Sequence, residues 1–301
     1  MSSTDPRENA TATVIAEVAK SKAGEKLMDA VKGLVQLPHN IVDYIAGRKR
    51  ITEITAARAE GKLVEARADA EVERLRAETA SFVLDREMHR TLNRQRILAE
   101  AQRALPPPDA PVSDKPVSKN FVHSFFDEFD GISDPEVHKI AGRLLAGEVV
   151  RPGSFPRRTM RVLRDLDSGD FALFSSLCRF CWHVGTAVPL VYEPNGVIYR
   201  DHRINFSKLN DLEALGLISF NAVGNFNRTG LPEKFVINYG PNKVEVTLAG
   251  KSGQFALGHV LLTDAGCRLL PLTDATTIPE FLDYALKKMQ GHGCKALLLN
   301  T

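Results

Sequence analysis

The sequence predicts a mostly α protein with a smaller α+β part at its C-terminal end, and three observations predict it. Residues 51–104 contain one glycine, Gly61, and no proline, and are filled with strong helix formers. Residues 105–120, LPPPDAPVSDKPVSKN, hold five prolines and almost nothing apolar, the composition of a semi-rigid linker. Residues 121–301 carry all four cysteines and most of the aromatics and glycines, with an apolar–polar alternation near 234–248 that marks strands. Four zones follow: a long N-terminal helical arm (1–104), the linker (105–120), a helical core block (121–170) and an α+β unit (171–301).

In the first zone Leu27, Val31, Leu34 and Val35 follow the stripe of an amphipathic helix. Pro38 breaks it, Ile41, Val42, Tyr44 and Ile45 resume it, and Arg48-Lys49-Arg50 follows. Residues 27–50 therefore have the basic, amphipathic character of a segment that lies on a membrane surface. Glu25, Asp29 and Asp43 oppose this, and favour packing onto the body of the protein. A continuous helix over 51–104 would be on the order of 80 Å long at about 1.5 Å per residue. Val72, Leu75, Thr79 and Phe82 keep heptad spacing along it until Arg86 and His89 interrupt the seam. Three arrangements suit such a rod: a solvated helix held by local ion pairs, a hairpin bent near Gly61, or packing against a second copy or a helical partner. Length favours the last, because tertiary contact rather than propensity supplies most helical stability.

The core block is clearly punctuated. Ser133-Asp134-Pro135-Glu136 is a helix start, and Val137, Ile140, Ala141, Leu144, Leu145 and Val149 form the buried stripe behind it. Pro152-Gly153 ends that helix and Ser154 is expected to cap the next, through Met160, Val162, Leu163 and Leu166. Asp167-Ser168-Gly169-Asp170 stops and restarts the chain. Arg151, Arg157, Arg158, Arg161 and Arg164 form a dense basic cluster, either an anion- or nucleic-acid-binding face or a set paired with Glu148, Asp165 and Asp167. The acidic run Phe126-Asp127-Glu128-Phe129-Asp130-Gly131 lacks calcium-loop spacing and reads as a solvated helix end.

The run ISDPEVHKIAGRLLAGEVVRPGSFPRRTMRVLRDLDSGDFALFSSLCRF resembles the core of a bacterial family known as domain of unknown function 2806, with LLAGEVVRPGSF followed by RTMRVLRDL as its hallmarks. The likeness covers most of the chain, including the N-terminal helices and the later LLTDAG segment. A looser similarity extends to the abortive-infection alpha proteins. The resemblance implies a bacterial origin and a role in phage defence, and brings no catalytic motif with it.

The last zone reads as a winged-helix-like unit. A helix is expected over Phe171–Val184, then a β-prone segment, VPLVYEPNGVIY, and then a helix from Phe206 with Leu209, Leu212 and Leu215 on one face and Gly216 as its C-cap. Strands are expected over Lys234–Tyr239 and Lys243–Leu248 around Gly240-Pro241-Asn242. Val260-Leu261-Leu262-Thr263-Asp264-Ala265-Gly266 closes the unit as a strand and a short helix capped by Thr263. Lys208 and Asn210 are the residues such a helix would offer to DNA, beside Asp211 and Glu213. Bulk charge gives little phosphate grip, with 18 basic and 16 acidic residues in 1–104, 9 and 9 in 105–165, and 12 and 12 in 166–301. Use of the unit as a protein-interaction module is favoured over DNA binding.

Cys178-x-x-Cys181-x-His183 has metal-like spacing without a second ligand pair, so core packing is the preferred reading and no metal or other cofactor is expected. No phosphate loop, H-E-x-x-H or G-x-S-x-G stands in the chain, and neither an enzyme nor a small-molecule substrate is predicted. Few cysteines, the absence of a long apolar run and a non-secretory N-terminus suggest the cytoplasm. The expected function is a non-enzymatic interaction or scaffold protein that self-associates, or docks a helical partner, through Val72, Leu75 and Phe82. The alternatives are a winged-helix DNA-binding regulator and peripheral membrane attachment.

Overall fold

The computed structural model describes residues 21–31, 63–248 and 254–299, and residues 63–69 through their backbone alone. The readings placed on residues 32–62, the hairpin at Gly61 among them, lie outside the described residues. The chain is mostly helical with a small antiparallel sheet, and divides into two compact units, residues 1–152 and 153–301.

In the first unit, α1 (Lys22–Val31) buries Ala23, Leu27 and Val31, one residue per turn. The long helix α2 (Leu63–Ala104) is proline-free and runs 42 residues, about 63 Å at ~1.5 Å per residue. Its C-terminal part sinks Asn93, Ile97, Leu98 and Ala101 into the core, whereas residues 70–79 are exposed at all ten positions around the helix. α3 (Lys119–Phe129) contributes Val122, Phe125, Phe126 and Phe129. The ring of Phe125 meets Phe126 edge-on at 5.1 Å and Phe129 at 5.0 Å. α4 (Pro135–Val150) starts as its punctuation requires: the Asp134 side chain accepts from the Glu136 N–H and Pro135 takes the first turn.

α2 and α4 cross at Gly142, where a Cβ would lie 2.5 Å from Glu100 Cβ and 2.7 Å from the Ala101 nitrogen. Only a residue without a side chain admits so close an approach. The proline-rich segment is strapped to the same unit. Ser113 N–H donates to the Val150 carbonyl, Lys26 Nζ donates to the carbonyls of Ser113 (3.0 Å) and Val149 (2.8 Å), and Lys22 pairs with Asp114. Leu105 and Val117 are buried at its two ends. Within the acidic run Asp127 is exposed as the solvated-end reading expects, but Asp130 departs from it, being 2% exposed. Arg94 donates to its carboxylate from Nε (3.0 Å) and Nη2 (2.6 Å), and Asn93 Nδ2 donates to its carbonyl (2.9 Å). A neighbour 36 residues earlier thus supplies the charge that lets this carboxylate leave water.

The second unit opens with α5 (Arg157–Arg164), whose N-cap is Pro156 rather than Ser154. Proline at that point presets an extended backbone and moves the helix start two residues on. α6 (Ser168–Cys178) begins with a reciprocal capping box between Asp167 and Asp170. The helix expected to continue to Val184 stops here. β1 (Cys181–Val184) and β2 (Thr186–Pro189) form a hairpin instead, turning at Gly185, whose φ of 71° suits glycine. Part of the β-prone segment is likewise helical, as α7 (Val197–Arg200), because Tyr199 is buried there and its hydroxyl donates to the Leu190 carbonyl (2.8 Å).

α8 (Phe206–Ala214) is capped by Asn205 and ends before Gly216, which takes φ 75°. β3 (Ile218–Phe220) pairs antiparallel with β8 (Val260–Leu262), and β4 (Phe226–Arg228) with β7 (Phe255–Gly258). Between them β5 (Lys234–Tyr239) and β6 (Asn242–Leu248) form the expected hairpin, Tyr239 opposite Asn242. Thr263 caps α9 (Asp264–Leu269) by accepting from Gly266 N–H. The C-terminal α10 (Pro279–Gly291) and β9 (Cys294–Leu299) complete a five-stranded sheet ordered β2-β1-β5-β6-β9. Its core is aromatic: Trp182 stacks on Tyr239 at 4.9 Å and Phe281 meets Phe180 edge-on at 4.8 Å.

Candidate functional site

The exposed part of α2 carries a row of apolar side chains that nothing else on the helix explains. Val72 is 45% exposed, Leu75 52% and Phe82 67%, with Val83 beside them. Steps of three or four residues take this row from Val72 through Leu75, Thr79, Val83, Arg86 and Arg90 to Asn93, Ile97 and Ala101. One helix face is therefore a packed interface at its C-terminal end and bare at its N-terminal end. The Thr79 hydroxyl donates to the Leu75 carbonyl at 2.7 Å, which satisfies the one polar group between Val72 and Val83 in the row. The flanks are held by short-range ion pairs: Arg74 with Glu71 (3.6 Å) and Glu78 (3.4 Å), and Arg76 with Glu73 (2.8 Å). Val83 is the residue that sequence reasoning missed; its signal was the four-residue step from Thr79.

The other sequence-predicted residues fall elsewhere. Arg151 belongs to the first unit and Arg157, Arg158, Arg161 and Arg164 to the second. Arg158 Nη2 binds Asp264 Oδ2 at 3.0 Å, and Arg164 binds Asp165 at 2.8 Å. Asp264 lies below the usual carboxylate range because Arg268 and Arg158 both donate to it. Much of the basic cluster is thus engaged with acids of its own unit. Lys208 pairs with Asp211 at 2.8 Å, which raises the pKa of its amine, and Asn210 Nδ2 donates to the Phe206 carbonyl at 3.0 Å. Both are satisfied within α8.

Cys178 is buried and its thiol is pushed well up by burial, with the neighbouring Cys181 adding to the effect. Cys181 and His183 stand on β1, half-buried and exposed respectively. Among the described residues no three His, Cys, Asp or Glu side chains are gathered as a metal ion requires. No described helix is long and apolar enough to cross a membrane. Of the proposed membrane-surface segment, the described part turns Leu27 and Val31 into its own core.

Fold and surface together define a mostly helical protein with a small antiparallel sheet, whose long helix bears an apolar row open to solvent. Residues 82–286 match the family described as Protein of unknown function (DUF2806), and the chain belongs to that family. The match begins inside α2, at Phe82, so Val72, Leu75 and Thr79 precede it. No curated protein and no solved structure matches the chain.

Proposed function

We propose that this chain is a non-enzymatic interaction protein that self-associates or docks a helical partner through the exposed part of α2. One observation carries the reading: the apolar row of Val72, Leu75 and Phe82 continues a face that is already a packed interface at Ile97 and Ala101. Burying a phenylalanine is worth about 1.5–3 kcal/mol, and a bare row of such residues is a standing gain for whatever covers it. The C-terminal elements α8, β3 and the β4/β7 ribbon support a winged-helix-like reading used for protein contact. An anti-phage setting, drawn from the looser family likeness, is part of the same proposal.

Light scattering of the full chain tests it. The parent is expected above the monomer mass at high concentration, and Phe82→Glu, which leaves the helical signal unchanged, is expected to be a monomer. A monomeric parent that Phe82→Glu does not alter removes the self-association half of the reading. The rival reading is a DNA-binding regulator. Against it stands the engagement of Lys208 and Asn210 within α8. Fluorescence anisotropy with duplex DNA at low and high salt decides, since phosphate contacts weaken steeply as salt rises. Efficiency of phage plating on cells carrying the parent or Phe82→Glu tests the defence setting.

A further inference from the structure

We infer that the partner of the exposed α2 row is a second copy of this chain, lying parallel to the first; the inference rests on the docking reading above. In heptad terms Val72, Thr79 and Arg86 take the a positions and Leu75, Phe82 and His89 the d positions. The columns that flank this seam then differ in sign. The g column is Glu71, Glu78 and Asp85, and the e column is Arg76, Val83 and Arg90. Parallel helices bring g of one chain against e of the next heptad in the other; antiparallel helices bring g against g and e against e. A parallel pair therefore sets Glu71 against Arg76 of the second copy, twice by symmetry. An antiparallel pair sets an acidic column against itself and a basic one against itself.

The columns are available for this exchange. Among the described residues, Glu71 and Arg76 are bound only by local pairs to Arg74 (3.6 Å) and Glu73 (2.8 Å), with all four side chains more than half exposed. Exposed pairs of this kind are worth little, and trading them for pairs across a seam costs little. Arg90 is already held by Glu87 (3.5 Å) and by the buried Asp130 (3.7 Å), so the seam ends where α2 enters its own core. Among the described residues, two heptads, from Glu71 to Asp85, are the length open to a second copy. The pairing is accordingly reversible and concentration-dependent rather than obligate.

Sedimentation equilibrium of the full chain distinguishes the arrangements. Glu71→Arg alone replaces two attractive contacts per dimer with two repulsive ones, as does Arg76→Glu alone, and each is expected to weaken dimerisation about tenfold. An equimolar mixture of the two variants restores opposite charges at every contact and is expected to dimerise at least as tightly as the parent. A parent that dimerises while Glu71→Arg tightens the dimer or leaves it unchanged overturns the parallel arrangement and leaves the docking reading standing. Failure of the mixture to recover has the same meaning. A parent that stays monomeric at every concentration overturns both the second copy as occupant and self-association.

Discussion

Replacing Gly142 by alanine tests the α2–α4 crossing directly, because two effects of opposite sign meet there. In an ordinary helix interior the change stabilises by about 1 kcal/mol, since glycine carries the larger entropy cost and alanine the best propensity. At Gly142 the new Cβ would stand 2.5 Å from Glu100 Cβ, 2.7 Å from the Ala101 nitrogen and 2.8 Å from the Glu100 carbonyl carbon. Non-bonded carbons rest about 3.5–4.0 Å apart, so the shortfall is on the order of 1 Å. The atoms met belong largely to the α2 backbone and cannot swing aside. A radial gap of about 1 Å forfeits up to half of each contact it opens, and overpacking of this kind costs about 1–3 kcal/mol. Taking the upper end because the neighbour is backbone, and subtracting the propensity gain, leaves a net loss of about 2 kcal/mol. For a unit of this size that lowers the midpoint by roughly 4–8 °C. Thermal and urea unfolding followed by circular dichroism would measure it, with Gly131→Ala, which meets nothing within 4 Å, as the control. A Gly142→Ala protein as stable as the parent, or more so, refutes the close crossing.

Asp130→Ala leaves the Arg94 guanidinium without its carboxylate, and breaking a buried pair in this way costs about 3–5 kcal/mol; urea midpoints should fall accordingly, and by less for Asp130→Asn. Gly258→Ala should fail to accumulate as folded protein in a solubility assay, because its φ is 86° and a Cβ would lie 2.3 Å from the Val191 carbonyl oxygen. Alkaline stability follows from the tyrosines. Burial pushes Tyr239 up to about 12 from its ordinary 10, and raises Tyr192, Tyr199 and Tyr284 as well. The folded state keeps protons that the unfolded chain gives up, so this stabilisation is complete below pH 10 and is lost between pH 10 and 12 and above. Phenolate absorbance from these four residues should appear together with unfolding rather than before it.

How much of this was legible varies element by element, for physical reasons. The β5–β6 hairpin was readable because Val244, Val246 and Leu248 alternate with polar residues and Gly240 marks the turn, so each part of the signal is local. The cap at Thr263 was readable for the same reason, and the punctuation at 133–136 and 167–170 marked two helix starts without singling out Asp134 or Asp167 as the capping residue. β1 was not. Phe171, Phe174, Leu177 and Cys178 keep helical spacing, and Cys181 and Trp182 extend it; pairing with β2 across Gly185 decides otherwise, and lies beyond a helical window. The acidic run ending in Asp130 reads as solvated until Arg94 is brought to it. α10 and β9 went unread, since β9 earns its place only by pairing with β6, some 50 residues upstream. On α2 the seam of Val72, Leu75 and Phe82 was visible as spacing. Its fusion with the core face at Asn93 and Ile97 was not, because the helical period is the same on both sides and only the neighbour, α4, changes.

That fusion has a mechanical consequence. Solvent-facing and core-facing stretches share one unbroken helix, so no swivel separates the bare row from the globule behind it, and rotational phase is transmitted along the rod. One alanine inserted between His89 and Asn93 would turn everything upstream by about 100° while lengthening the rod by only about 1.5 Å, whereas seven would bring the row back into line some 10 Å farther out. The helix thus acts as a ruler whose markings are angular as well as linear.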